Sequence, residues 1–209
     1  MAALFERWGR PGSLRVDNGE PFGSTRPSTT SELALCLIAH NIGVSTNRPG
    51  VPQDNGKVER LQGTSSRWGE VLKCRSLDEA QRRLDEAIAV QREQYPVSRL
   101  KGQTRLAAFP QLAAKGRTWD PSDFDPQRVY DFLSKKQYVR KVSGNAQVTH
   151  FGHKHRIGAE FTGQHVCLKF DAFTLKWLVY AANGKFIKTL EAPYLSASRI
   201  KNMTVYSKN

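Results

Sequence analysis

The stretch "RPGVPQDNGKVERL", residues 48–61, decides how this chain is read. Its prolines and glycine make the first half a turn, and the second half starts a helix. At about 100° per residue, Val58, Leu61, Ser65, Trp68 and Leu72 fall on one apolar face. Glu59 lies roughly opposite, near Asn55, Gln62 and Ser66, with Arg60 and Arg67 flanking it. A carboxylate on that side is expected to face a cleft or solvent, not the core.

Working upstream, residues 2–8 read as a short helix end and "RPGS" turns the chain. "LRVDNG" reads as a short strand that stops where Asn-Gly favours positive φ, leaving Asp17 at its carboxyl end. "STRPSTTSELALCLIAHNIG" opens with Ser/Thr capping candidates and continues as an apolar helix to Gly43, and "VSTNR" reads as a second short strand. Downstream, "SLDEAQRRLDEAIAVQREQY" has a cap at Ser76, acids in its first turn, and an expected end before Pro96. Residues from about 96 to 130 are broken by Pro96, Pro110, Pro121 and Pro126 and read as a connection. Then the period changes: "QYVRKVSG", "AQVTHFGHKHRIG", "HVCLKFD", "LKWLVYA" and "KFIKTLE" are short β-rich runs between Gly or Asn turns, which suggest a small barrel.

Charge is unevenly spread. The 209 residues hold 32 Lys and Arg against 19 Asp and Glu, a net +13. Residues 134–209 alone hold 13 of those cations and 3 of the acids. A regional excess points to a polyanionic partner, nucleic acid before an anionic membrane. Nothing approaches the roughly 18 apolar residues of a membrane span, and "MAALFERWGR" lacks the layout of a secretory signal. Cys36, Cys74 and Cys167 are odd in number and widely spaced, as free thiols in a reducing cytoplasm would be.

Two carboxylates on one edge of a sheet can hold divalent ions for phosphodiester chemistry, because Mg²⁺ prefers hard oxygen ligands. Asp17 and Glu59, with 41 residues between them, suit that role. Their contexts sharpen it: "LRVDNGEPF" followed by "NRPGVPQDNGKVERL" resembles the second half of the catalytic core of the DDE integrase and transposase superfamily, which is RNase H-like. The resemblance covers roughly residues 1–110 and implies DNA integration or transposition. It implies Asp17 and Glu59 as catalytic metal ligands for Mg²⁺ or Mn²⁺, with Asn18, Asn55 and Gly56 as the active-site wall. The basic β-rich tail is similar, more loosely, to the small barrel that follows such cores.

Two departures qualify this. The Asp17–Glu59 spacing is longer than is commonest in the family, with "GSTRPSTT" as the place of the extra residues. The family's first aspartate lies far upstream, and none of the 16 residues before Asp17 is Asp. The expectation is therefore a fragment that binds DNA and does not transfer strands alone, with Glu20 and Asp54 as weak substitutes for the third ligand. The rivals are a non-enzymatic DNA-binding remnant, the second half of a split or frameshifted enzyme, and a basic interaction protein that binds no DNA. Homo-oligomers, or pairing with an upstream half, are what the resemblance implies.

The fold class expected is thus α/β: a partial RNase H-like core over 1–110, a connector over 111–133 and a basic β-barrel-like domain over 134–209. Lys57, Arg60 and Arg67 are either a solvated face or phosphate contacts. Lys135, Lys136, Arg140, Lys141, Lys154 and Arg156 are the stronger candidates for DNA backbone contacts, and nothing identifies a reader of base sequence. His150, His153, His155, His165 and Cys167 invite a zinc site, but strand alternation and the lack of a paired Cys-x-x-Cys favour ordinary packing. Trp177 and Tyr180 are expected in a barrel core rather than as base-stacking platforms. The location expected is cytoplasmic and DNA-associated, with no membrane partner.

Overall fold

The cap expected at Ser76, and Ser31 from among the Ser/Thr candidates before α2, sit at helix starts, where a side-chain oxygen takes up an otherwise orphaned N–H. Ser31 Oγ accepts from Ala34 N at 3.2 Å and Ser76 Oγ from Glu79 N at 3.1 Å. The computed structural model describes residues 2–17, 19, 30–48, 50–114 and 116–202. The elements are α1 (Ala2–Trp8), β1 (Ser13–Val16), α2 (Glu32–Ala39), β2 (Gly43–Thr46), α3 (Gly56–Trp68), α4 (Leu77–Glu93) and α5 (Arg105–Ala108). They continue as α6 (Gln127–Ser134), β3 (Gln137–Lys141), β4 (Gln147–His150), β5 (His153–Arg156), β6 (His165–Asp171), β7 (Lys176–Ala181), β8 (Phe186–Glu191) and α7 (Ala197–Lys201). No helix among the described residues is long and apolar enough to cross a membrane.

The chain divides into two units, one of Met1–Arg10 with Asn47–Trp119 and one of Pro11–Thr46 with Asp120–Asn209. The boundaries at 110 and 134 expected from the resemblance and the change of period do not coincide with this division.

The first unit is helical. Asp78 and Glu79 in the first turn of α4 complement its dipole. α3 meets α4 where Ser65 and Gln91, both buried, share a hydrogen bond of 3.3 Å, and Arg105 Nη1 donates to Gln91 O at 2.7 Å. Trp68 packs edge-on against Tyr95, and Phe5 lies 5.1 Å from Trp119. The apolar face expected on α3 is only partly covered: Ser65 is buried and Trp68 is packed, but Val58 and Leu61 stand half exposed. Leu72 leaves that face altogether and is fully exposed, because Glu70 takes a left-handed φ of 47° and ends the helical register.

The second unit holds the core. β1 and β2 pair in parallel, Ser13 with Gly43 through Val16 with Thr46. β3, β6, β7 and β8 form an antiparallel sheet in that order, and β4 pairs with β5 as a separate ribbon. Tyr138, Val166, Leu168, Phe170, Trp177, Val179 and Leu190 point inward, and the face they make is covered by Leu35 and Ala39 of α2, Val129, Tyr130 and Leu133 of α6, and Ile200 of α7. The expected barrel is therefore corrected to an open sheet. Helices cover the inner face, so the apolar surface is buried without the strand closure a barrel requires.

The stretch read as a connector holds most of a helix. α6 starts after Pro126, runs to Ser134, and buries Val129, Tyr130 and Leu133. A proline at a helix start removes no needed hydrogen bond, so the proline that read as a break instead opens a helix. Arg128 ties it to α2 by donating to the carbonyls of Ala39 at 2.9 Å and Asp123 at 2.7 Å.

Candidate nucleic-acid interface

Asp17 is exposed just past Val16, the last residue of β1, and Gly19 does not take the positive φ expected of the Asn-Gly turn. Its Oδ1 accepts from Gly19 N at 3.0 Å, a local turn that occupies one carboxylate oxygen. Asn18 and Glu20 lie outside the described residues.

The other half of the motif surrounds the start of α3. Here the reading of Asp54 changes. Arg48 grips it with two parallel bonds, Nη2 to Oδ1 at 2.8 Å and Nε to Oδ2 at 3.1 Å, and Arg48 N adds a third to Oδ2 at 3.1 Å. This bidentate clamp raises the Arg48 pKa, chiefly through the hydrogen bond to Asp54, and closes the loop ahead of the helix. Asp54 is therefore a loop-closing residue rather than a spare metal ligand. Asn55, the residue preceding α3, accepts from buried Asn47 Nδ2 at 3.3 Å. Gly56 has open space where a Cβ would stand, so no close backbone approach demands a glycine.

Glu59 is exposed in the first turn of α3, with Lys57, Arg60 and Arg67 exposed on the same helix. Arg60 and Arg67 are seven residues apart and so share a face, two turns from one another. Arg67 Nε donates to Gly63 O at 3.2 Å. Asp17 belongs to the second unit and Glu59 to the first. Among the described residues no three His, Cys, Asp or Glu side chains come together in a group able to hold a metal ion. No chemical step is assigned to a metal ion.

The basic candidates of the second unit divide by what surrounds them. Lys154 and Arg156 are exposed on the outer side of the β4–β5 ribbon, opposite Thr149 and Gln147, while Val148 and His150 point inward. Lys135 and Lys141 are also exposed. Lys136 leans its ammonium over the Phe132 ring at 4.1 Å, and desolvation lowers its pKa.

Arg140 differs. Its Nη2 meets His150 Nδ1 at 3.2 Å and its Nη1 donates to Val139 O at 2.8 Å. A guanidinium only donates, so Nδ1 of His150 accepts and the imidazole proton sits on Nε2. His150 is 1% exposed and packs perpendicular to Trp177 with centroids 4.3 Å apart, a geometry in which a ring N–H can meet a π face. Burial first, then Arg140, then His155, push the His150 pKa down to about 3. Arg140 thus serves the interior as well as the surface.

The zinc candidates separate. His150 lies on the core side, whereas His165 and Cys167 alternate with buried Val166 and Leu168 on the other face of the sheet. Trp177 and Tyr180 separate too: Trp177 is fully buried, and Tyr180 stands on the outer face with Lys169 over its ring at 5.3 Å.

Sequence reasoning missed the Arg48–Asp54 clamp, although both residues stand in the quoted stretch; an Arg and an Asp bracketing a Pro-Gly turn were the available signal. It also missed Phe186, which pairs with Tyr180 across β7 and β8. No protein-family model matches the chain.

Proposed function

We propose that this chain is a DNA-binding protein of the DDE integrase and transposase type, acting in DNA integration or transposition and not competent for strand transfer on its own. The observation that carries the reading is the paired motif, "RVDNG" with "PQDNGKVER". Asp17 at the end of a strand in a parallel pair, and Glu59 exposed in the first turn of α3, support it. The affinity for DNA rests on phosphate contacts from Lys135, Lys141, Lys154 and Arg156, with Lys136 beside them. Lys57, Arg60 and Arg67 contribute from the helical unit. Such contacts position a duplex without reading its sequence. Asp54 is committed to Arg48, which leaves it a poor substitute for a third metal ligand.

The test is duplex binding measured beside a strand-transfer assay in Mg²⁺ or Mn²⁺. The reading expects binding that weakens as salt rises, with no strand-transfer product. Robust product formation that disappears on Glu59→Gln would overturn the inactivity. Absence of duplex binding would overturn the DNA reading itself.

A further inference from the structure

The outer face of the β3–β6–β7–β8 sheet carries an apolar row that a duplex-binding role does not use. Register places Val139, Cys167, Tyr180 and Phe186 opposite one another, one from each strand, in a single row across the sheet. Strand alternation sends their neighbours Tyr138, Leu168 and Val179 into the core, so the row itself faces outward. Val139 is 57% and Phe186 50% exposed. Tyr180 and Phe186 meet edge to face with centroids 5.8 Å apart.

Cations flank this apolar row on both sides. Lys169, on the same face, lies over the Tyr180 ring. On the other side Lys141 pairs with His165 across β3 and β6, both exposed. The acids of this sheet sit at the far end of the strands and are engaged. Asp171 accepts from Thr174 Oγ1 at 2.6 Å and Phe173 N at 3.0 Å, and Glu191 pairs with Lys176 at 2.7 Å. The row is therefore an aromatic and apolar stripe in a positive setting.

We propose that this face binds an unpaired DNA strand, with bases stacked on Phe186 and Tyr180 and phosphates drawn to Lys169 and Lys141. Base-paired DNA hides the faces of its bases within its own stack, so an aromatic stripe gains nothing from a duplex. An unpaired strand offers both an open π-face and a phosphate to this combination of groups. A flexible lysine stem can leave the Tyr180 ring for a phosphate when a base arrives. The inference rests on the DNA-binding reading for the kind of partner, and on the sheet register for the place.

The test uses the whole chain with two fluorescent probes, an oligo-dT of about 15 nucleotides and a mixed-sequence duplex. Tyr180→Leu and Phe186→Leu keep apolar bulk and are each expected to weaken oligo-dT binding by about fivefold or more, while duplex affinity holds. Lys169→Ala, which removes no core atom, weakens oligo-dT binding and lowers its salt dependence. Saturating oligo-dT slows alkylation of Cys167, read by peptide mass. Oligo-dT affinity unmoved by all three substitutions would overturn the proposal. So would self-association that Phe186→Leu abolishes, which would give the face to a second copy. Salt-dependent duplex binding with indifferent oligo-dT binding sinks this inference alone; loss of both kinds of binding sinks the DNA reading as well.

Discussion

The helical unit and the sheet unit bury apolar surface to very different degrees. In the sheet unit, Leu168, Trp177, Val179, Val129 and Leu133 are fully buried in one continuous core that also takes in Leu35 and Ala39 of α2. In the helical unit the buried hydrophobics among the described residues are Phe5 and Ala87, and α3 joins α4 through a Ser65–Gln91 hydrogen bond. Val58, Leu61, Leu72 and Leu77 remain exposed there. A unit of the first kind is held by packing; one of the second kind is held by a few polar contacts and two aromatic pairs, and has little to resist local opening. Of the two acids carrying the transposase resemblance, Glu59 stands in the weaker unit and Asp17 in the stronger one, with most of the candidate phosphate contacts.

The largest effects that probe this contrast lie in the sheet core. Trp177→Ala removes the most deeply packed aromatic and is expected to cost about 3–5 kcal/mol, read by denaturant unfolding. A paired leucine comparison is sharper: Leu168→Ala costs about 2–5 kcal/mol, whereas Leu61→Ala on α3 stays within about 0.5 kcal/mol. Equal costs would mean that α3 is covered in solution.

Acid should act on the sheet unit through His150. Its folded pKa of about 3 lies below its ordinary 6.5, so the unfolded chain binds more protons between those values. The contribution is intact above about pH 6.5 and falls as pH drops toward 3, by up to about 1.4 kcal/mol per pH unit. His150→Leu should flatten that slope; an unchanged slope would place the acid sensitivity elsewhere. The subtlest difference is kinetic: amides of α3 should exchange with solvent before those of β6 and β7. Simultaneous exchange would make the two units one cooperative block.

How far the sequence foretold this depended on whether the signal was local. The Ser76 cap, the end of β1 just before Asp17 and the alternation of β6 and β7 were all legible, because each rests on neighbours along the chain. The open sheet was not. Short strands between glycines fit a barrel or a covered sheet equally well, and only α6 and α2 decide between them. α6 itself hid behind Pro126, although Val129, Tyr130 and Leu133 carry a helical spacing. At the candidate site, the exposure of Glu59 was readable from the wheel, but the Arg48–Asp54 clamp depends on a loop closing in space. Trp177 and Tyr180 are separated by an odd number of residues along one strand, and alternation alone would have put them on opposite faces.

The most direct measurement of the central claim, that the sheet unit binds DNA through its backbone phosphates, is duplex affinity against salt concentration for the native chain and for the double variant Lys154→Ala with Arg156→Ala. The expected log–log slope becomes shallower by about 2 in the double variant, about 0.9 for each lost phosphate contact. An affinity indifferent to salt, or a slope that the double variant leaves unchanged, would contradict it.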